Sequence, residues 1–355
     1  MHPCFSVANN KLGPEGAKVL APAISGCNSL SSLNIARNSL WGYDRNYDDW
    51  EYSDGYFDMT GVKAIADSVR VSTSLTSLDL SSNILTIYGK MDGIEALADM
   101  LRVSTSLTSL NLSSTALCGV FESPETTFDI GEYDVASMLI LANALSVSTS
   151  MTKLNIWDNM IGEEGATAIV NAAPAQMRTL CGDLFEEGQT QVDLSRKMLE
   201  AEGIILVAWN LRASGTSASI TSLNLSSNLL CGIHKYKARS PCRWIYQGTY
   251  DTTGLMAITG ALSVISSLTS LNVADNHIGG RIESDLICGK SWAMGDVVDH
   301  EGFTWTCTHV NEFNDRELTR YDMTGIKAIA DVLNVSTSLK MIKCVPSFSL
   351  VSNLF

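Results

Sequence analysis

The strongest constraint on the fold of this chain is a short leucine motif that recurs along its whole length. The letters L-T-S-L-D-L-S-S-N-I-L at 75–85 return, with few changes, at 107–117 and 220–230. Weaker copies keep the same spacing of apolar residues, at 30–40, 151–161, 189–199 and 268–278. A unit of this length cannot bury its apolar face alone, so the repeats must stack on one another.

Each copy combines two periodicities. In the L-x-L triplet the leucines point to one side of a strand and the x residue points to the other. Aliphatic and alanine residues at helical spacing follow, as in Gly61–Asp67 and Gly325–Asp331, and Thr60 and Thr324 precede these glycines as predicted helix caps. Parallel strands joined by helices need right-handed crossovers. The pattern therefore predicts one parallel sheet on an inner curve, with helices outside.

This pattern resembles the leucine-rich repeat, L-x-x-L-x-L-x-x-N-x-L. The full helix after each strand is similar to the ribonuclease-inhibitor class of that family. The resemblance covers essentially the whole chain. It implies an α/β leucine-rich-repeat solenoid (horseshoe), with a parallel β-sheet on the concave side and helices on the convex side. Residues 1–355 are predicted to form a single solenoid of this kind.

An asparagine follows most of the predicted repeat strands, and we call these positions the asparagine ladder. A buried amide needs hydrogen-bond partners, and the turns of neighbouring repeats are the available ones. The sequence predicts inward-facing ladder residues bonded to backbone, with interruptions at Thr115 and Lys197. The ladder asparagines are Asn10, Asn38, Asn83, Asn159, Asn228 and Asn276.

Four long insertions separate strands from the helices that follow them. They are predicted at 41–58, 118–133, 231–252 and 279–322, and we expect all four on one rim of the solenoid. They contain 19 of the 26 aromatic residues and −11 of the formal charge of −14. Aromatic residues on loops held by a rigid scaffold are typical of recognition surfaces. The alternative is that each insertion packs its aromatics as a small core of its own.

The concave face offers fewer anchors. Its strand positions are mostly Ser and Asn, and Trp157 is the one large aromatic among them. We therefore predict that a partner binds mainly at the insertion rim. The candidate partner-binding residues are Trp41, Tyr43, Tyr47, Trp50, Tyr52, Tyr56, Trp157, Trp244, Tyr246, Trp292 and Trp305.

The sequence carries no recognised catalytic or phosphate-binding motif. Its repeated serines have no repeat-equivalent histidine to activate them, so neither an enzyme activity nor a cofactor is predicted. Cys288, His300, Cys307 and His309 do not match the spacing of a zinc finger, and no metal site is predicted. Two disulfides within the last two insertions would need an oxidising compartment. With nine cysteines, an odd number, and no secretory signal, thiols at Cys231, Cys242, Cys288 and Cys307 are favoured.

Charge and hydropathy restrict the partner classes. A net charge of −14 disfavours general nucleic-acid binding, which requires clustered Lys and Arg. The basic and aromatic run at 235–246 could stack on single-stranded nucleic acid, but contact with an acidic protein loop fits the acidic chain better. The apolar run Gly203–Leu211 is too short to span a bilayer. These features favour an intracellular protein without a transmembrane segment.

The predicted function is a non-enzymatic protein-protein interaction scaffold, or an accessory subunit of a larger assembly. The alternative is a ligand-sensing or regulatory fragment of a larger receptor. The alternative arises because the chain begins and ends within a repeat, whereas a complete soluble scaffold is expected to have polar capping repeats.

Overall fold

The computed structural model of the protein describes most of the repeat residues and part of the insertions. The described residues are 3–42, 58–86, 89–119, 121–122, 129–130, 133–185, 188–213, 219–232, 234–237, 244–247, 251–276, 278, 281–283, 297–300, 303–310, 316–321, 324–336 and 338–343.

The helices alternate with short strands along the chain. The α-helices are α1 (Gly13–Gly26), α2 (Thr60–Val71), α3 (Asp92–Val103), α4 (Ala136–Val147), α5 (Gly162–Ala172), α6 (Ala201–Ala213), α7 (Thr253–Leu262) and α8 (Thr324–Val335). The strands are β1 (Cys4–Ser6), β2 (Ser32–Asn34), β3 (Ser77–Asp79), β4 (Ser109–Asn111), β5 (Phe121–Glu122), β6 (Asp129–Ile130), β7 (Lys153–Asn155), β8 (Gln191–Asp193), β9 (Ser222–Asn224), β10 (His234–Lys237), β11 (Trp244–Gln247), β12 (Ser270–Asn272), β13 (Arg281–Glu283), β14 (Val297–His300), β15 (Phe303–Val310), β16 (Arg316–Tyr321) and β17 (Met341–Lys343).

Among the described residues the repeat strands form parallel sheets, as the sequence predicts, but these are two sheets and not one. The first has the order β1-β2-β3-β4-β7, and the second has the order β17-β12-β9-β8. The chain divides into two compact units: unit 1 is Met1–Glu187 with Ile205–Thr216, and unit 2 is Gly188–Ile204 with Ser217–Phe355. The prediction of one continuous sheet is therefore wrong.

A segment that the sequence analysis missed extends the first sheet beyond β7. Thr179 and Cys181 form isolated bridges with Lys153 and Asn155, and the N–H of Leu154 donates to the Thr179 carbonyl at 3.0 Å. Leu180 is fully buried, like the central leucines of the repeat strands. In a regular solenoid the next repeat strand, β8, would pair with β7 at this position. The sequence analysis missed this segment because Leu180 is not followed by the second leucine and the asparagine of the repeat motif.

The strand triplets bury their central residues. Leu33, Leu78, Leu110 and Leu154 are each at most 1% exposed, and they lie side by side because neighbouring strands pair without a shift in register. Leu223 and Leu271 are paired in the same way in unit 2. The flanking x residues are only half-buried in most strands, and they form what we call the open sheet face of each unit.

The predicted insertions contain strands of their own. A hairpin of β5 and β6 lies within 118–133, and a hairpin of β10 and β11 lies within 231–252. The last insertion contains a four-stranded antiparallel sheet of order β13-β16-β15-β14. Each of these elements connects a repeat strand to the helix of the same repeat. Whether all four insertions share one rim stays a prediction.

The second residue of several repeat helices lies against the backbone of a neighbouring loop. A Cβ on Gly61 would come within 2.6 Å of the Pro14 Cα and 2.9 Å of the Leu40 carbonyl oxygen. A Cβ on Gly93 would come within 2.7 Å of the Leu85 carbonyl oxygen. Ser137 holds this position in α4, and its hydroxyl donates to the Leu117 carbonyl. The sequence therefore uses a glycine, or a serine that makes a hydrogen bond, where backbone passes close by.

We expect Gly61→Ala to lower the free energy of unfolding by about 1–3 kcal/mol, since the clashing atoms are backbone and cannot move aside easily. Gly26→Ala is the matched control, because nothing lies within 4 Å of a Cβ at that position. Chemical denaturation followed by circular dichroism measures both variants. Equal stabilities for the two variants would contradict the close approach at Gly61.

Candidate interaction site

Three insertions leave the repeats through the same tight turn. In each, a glycine N–H donates to the carbonyl oxygen three residues earlier, at 2.9–3.1 Å. Each glycine has φ between 71° and 78°, a left-handed conformation that residues with a Cβ adopt reluctantly. The glycines are Gly42, Gly119 and Gly232.

The same insertions rejoin the repeats through a second backbone hydrogen bond. The N–H of an aspartate at the end of the insertion donates to the carbonyl of the residue just before the first glycine. The pairs are Asp58 to Trp41 (3.0 Å), Asp134 to Cys118 (3.0 Å) and Asp251 to Cys231 (3.1 Å). We call each pair an insertion base. The two ends of these insertions are thus fixed one hydrogen bond apart.

The aspartate of each base also accepts a hydrogen bond from the N–H of the first residue of the following helix. Asp58 Oδ1 accepts the N–H of Thr60 at 2.8 Å, and Asp251 Oδ1 accepts the N–H of Thr253 at 2.9 Å. The Thr60 hydroxyl donates to Asp58 as well, and it holds the pKa of that carboxyl below its usual range. Thr60 is the first residue of α2 and Met59 is its N-cap, so the prediction that Thr60 caps the helix is wrong.

The insertion bases are the feature that the sequence analysis overlooked. Their signal was visible as D-M-T-G at 58–61 and D-T-T-G at 251–254, with a third D-M-T-G at 322–325. The equivalent residues of the last insertion, 279–280 and 322–323, lie outside the described residues.

Two of the predicted aromatic anchors have described side chains. Trp41 forms part of the first insertion base and is half-buried, and Trp157 is half-buried beside β7. Trp244, Tyr246 and Trp305 lie in hairpin or sheet strands, and the register pairs Trp244 with Lys237 and Tyr246 with Lys235. The remaining anchors lie outside the described residues: Tyr43, Tyr47, Trp50, Tyr52, Tyr56 and Trp292.

The asparagines of the open sheet face hold the backbone in place. Asn111 Oδ1 accepts the N–H of Ser113 at 3.1 Å, and Asn155 Oδ1 accepts the N–H of Trp157 at 3.1 Å. Asn224 does the same for Ser226 at 3.1 Å. Such turns between a side chain and the backbone two residues on are typical of Asn and Asp. These residues therefore have a structural role even though they lie on an accessible face.

The side chains of several repeated serines and threonines also make hydrogen bonds to the backbone. Ser106 donates to the Ser72 carbonyl at 2.9 Å, and Ser150 donates to the Ser104 carbonyl at 2.9 Å. Thr108 Oγ1 likewise donates to the Thr76 carbonyl at 3.1 Å. Each bond connects one repeat to the one before it. These hydroxyls join one repeat to the next.

The described residues contain neither a candidate metal site nor a candidate membrane-spanning helix. No group of three or more His, Cys, Asp or Glu side chains in this part of the chain could hold a metal ion. No helix in the same part has the length and hydropathy needed to cross a membrane. Cys288 lies outside the described residues, and the side chains of His300, Cys307 and His309 do too. Within unit 1, burial raises the pKa of the Cys181 thiol.

Comparison with known proteins was made by sequence and by fold. No curated protein matches the chain. The tropomodulin C-terminal domain of Caenorhabditis elegans is 14% identical, with a TM-score of 0.32, and the match covers 48% of this chain and 80% of that one. The leucine-rich repeat-containing protein LegL7 from Legionella pneumophila is 19% identical, with a TM-score of 0.37, over 76% of this chain and 65% of that one.

A family model described as Leucine Rich repeat matches three segments, 71–86, 147–170 and 264–282. The segments include strands β3, β7 and β12 or the residues leading to them. The described strands and helices alternate, the leucines are buried in register, and asparagines bond across repeats. The chain is a leucine-rich repeat protein.

Proposed function

We propose that this protein is a non-enzymatic interaction module that binds a protein partner through its aromatic insertions. Leucine-rich repeat proteins commonly bind other proteins, and the family is generally non-enzymatic. The observation that carries the proposal is the repeated insertion base, in which two backbone hydrogen bonds attach each of three insertions to a rigid repeat.

A fixed base has a consequence for binding. Holding the ends of a loop reduces the conformational freedom that the loop must lose when a partner binds. Large aromatic side chains then supply much contact area with few rotatable bonds. Both features support the insertions as the binding surface. The open sheet face has a different role in this proposal, because many of its polar groups already bond to the backbone.

The insertions also differ in charge. The segment 231–252 has a formal charge of +3, whereas 41–58 and 279–322 each have −5. A partner with acidic and basic patches would thus meet complementary groups on different insertions, which speeds association and selects orientation. The proposal therefore predicts that association slows as the salt concentration rises.

We expect the double variant Trp50→Ala, Trp244→Ala to lose partner binding, at about 2 kcal/mol or more for each residue if both are central anchors. The partner is first identified by affinity purification of the intact native assembly with mass spectrometry. Binding of wild-type and variant proteins to that partner is then measured by titration calorimetry.

The control variant is Ser109→Arg, Ser222→Arg, which blocks the open sheet face. Within the part of the chain that the structure describes, neither serine side chain makes a hydrogen bond to another repeat, whereas Asn111 and Asn224 hold turns, so replacing them would confuse folding with binding. If the arginine variant loses the partner while the tryptophan variant keeps it, with both folded by circular dichroism, the proposal is wrong.

A further inference from the structure

The hairpin of β10 and β11 has basic residues at every second position of one strand and aromatic residues at every second position of the other. The register pairs Lys235 with Tyr246 and Lys237 with Trp244. Residues directly opposite one another in an antiparallel pair lie on the same face, and residues two apart on one strand share a face too. All four residues therefore lie on one face of the hairpin, which we call the basic hairpin face.

The opposite face of the same hairpin has a different composition. The register pairs His234 with Gln247 and Tyr236 with Ile245 on that face, so it includes neither Lys nor Arg. Lysine is almost never fully buried unless an acidic group pairs with it. A face with two lysines therefore favours contact with water or with an anionic ligand, whereas the opposite face has no such requirement.

The stretch that contains the hairpin is basic although the chain as a whole is acidic. The chain has 38 Asp and Glu residues against 24 Lys and Arg residues. Residues 232–250 nevertheless include both hairpin lysines, Arg239 and Arg243, and they include no Asp or Glu. An anionic group that neutralises these cations has to come from outside this stretch.

The hairpin is attached to its repeat by short connections. The Cys231 carbonyl accepts the N–H of Asp251 at 3.1 Å. Strand β10 begins two residues after Gly232, and β11 ends four residues before Asp251. Short connections to a fixed base limit the conformational freedom that the hairpin must lose when a ligand binds. The basic hairpin face is therefore suited to bind a ligand without a large entropic cost.

We propose that the basic hairpin face binds an extended acidic segment of the protein partner, with Asp or Glu at alternate positions of that segment. This inference rests on the proposed function and names the chemistry of the partner at one insertion. The Cα atoms of Lys235 and Lys237 are about 7 Å apart, as are alternate residues of an extended ligand. One aromatic residue lies beside each lysine, at about 5 Å between Cβ atoms, and offers a surface to the methylene groups of a glutamate.

Single-stranded nucleic acid is another anionic ligand that combines charge with stacking. A strand of four residues is only about 13 Å long, which matches a short peptide segment. A longer polynucleotide would extend beyond the hairpin into the field of a chain with a net charge of −14, and phosphate contacts there would be unfavourable. Length and charge therefore favour the peptide.

Fluorescence anisotropy with the full chain and labelled peptides tests the proposal. The first probe is Gly-Glu-Ser-Glu-Ser-Glu-Gly, and the second, Gly-Glu-Glu-Ser-Ser-Glu-Gly, has the same composition but no two glutamates two residues apart. A short oligodeoxythymidylate is the third probe. We expect the first peptide to bind about threefold more tightly than the second, because it pairs with both lysines at once. Its affinity should fall as NaCl is added, because salt screens exposed charges.

Paired lysine variants separate the hairpin from the general charge of the chain. Lys235→Gln with Lys237→Gln should weaken binding of the first peptide about tenfold, and the corresponding double arginine variant, which keeps both charges, should bind like wild type. Lys327→Gln with Lys340→Gln is the matched control. It removes the same charge at two exposed positions of unit 2, and it should change the affinity less than about twofold.

Paired tyrosine variants compare the two faces of the hairpin. Tyr246→Ala removes an aromatic residue from the basic hairpin face and should weaken peptide binding, whereas Tyr236→Ala changes the opposite face and should leave it unchanged. Circular dichroism verifies that each variant is folded. The lysine comparison does not depend on the tyrosine variants, so a tyrosine variant that unfolds leaves the test complete.

Three outcomes would overturn the proposal. Neither peptide binds the wild type, or the hairpin lysine variant and its control lose affinity equally, or the oligodeoxythymidylate binds more tightly than the first peptide. The last outcome would identify the face as a nucleic-acid site. None of these outcomes bears on the proposed function, because the native partner and the Trp50→Ala, Trp244→Ala variant test that function separately.

Discussion

Replacing Asn159 with alanine is expected to lower the free energy of unfolding of unit 1 by about 2–5 kcal/mol, because two buried N–H groups lose their acceptor at about 1–3 kcal/mol each. Asn159 is 3% exposed. Its Oδ1 accepts the N–H groups of Thr115 and Leu117, and its Nδ2 donates to the carbonyls of Leu112 and Ile156. Alanine removes every partner at once, and it leaves buried backbone groups without a hydrogen bond.

The measurement is denaturation by guanidinium, with native-state hydrogen exchange to assign the loss to amides of unit 1, because a chain of two units need not unfold in one step. Asn10→Ala is the matched control, since Asn10 holds the same ladder position but is exposed. It should cost less than about 1 kcal/mol. A similar small cost for both variants would mean that the ladder contributes little to stability.

Replacing Leu110 or Leu223 with alanine should lower stability by about 2–5 kcal/mol, the usual range for a leucine removed from a packed core. Both are 1% exposed at the centre of an interior strand. Packed neighbours on both sides cannot close the space, so the lost contacts add to the lost burial. Leu110 reports on unit 1 and Leu223 on unit 2.

Surface valines provide the controls for these two variants. Val103 is 56% exposed and Val264 is 68% exposed, so alanine at either position removes few contacts. Thermal and guanidinium unfolding of the four variants measure the differences. A midpoint for Leu110→Ala equal to that for Val103→Ala would mean that Leu110 is not a core residue.

The two interruptions of the asparagine ladder show how far sequence could predict local structure. The sequence correctly identified Thr115 as a departure from the pattern. In the structure Thr115 is fully buried, its hydroxyl donates to the Leu112 carbonyl at 2.6 Å, and its own carbonyl accepts the Leu85 N–H at 3.0 Å. The Thr115 carbonyl thus accepts an N–H group from the preceding repeat, as the side-chain oxygen of a ladder asparagine does elsewhere. Sequence alone could not show this, since the partners lie about one repeat apart.

Lys197 has a different explanation. It is exposed, and its N–H donates to Asn228 Oδ1 at 3.0 Å, as in any ladder position. Strand β8 is at the end of its sheet, so no earlier strand of that sheet needs an acceptor from Lys197. The position therefore tolerates lysine. This reason depends on which strands are neighbours, whereas the sequence analysis predicted a single parallel sheet.

The candidate site could be predicted only in part, because some of its features depend on contacts between residues that are distant in the sequence. The aromatic content of the insertions can be counted in the sequence, whereas the insertion bases depend on backbone bonds between Trp41 and Asp58 and between Cys118 and Asp134. The motif D-x-T-G was visible but was interpreted as a threonine cap. The acceptor proved to be the aspartate, because it lies two residues before the first free N–H of the helix.

The sequence by itself determined the family, the alternation of strands and helices, and the buried leucines, because each of these follows from the spacing of apolar residues within one repeat. Only the tertiary structure decided where the parallel strands divide into two sheets, that Thr179–Cys181 lies next to β7, and that a backbone hydrogen bond joins the two ends of three insertions. These features depend on hydrogen bonds and contacts between different repeats. Neighbours in space that are tens of residues apart leave no periodic signal within a single repeat.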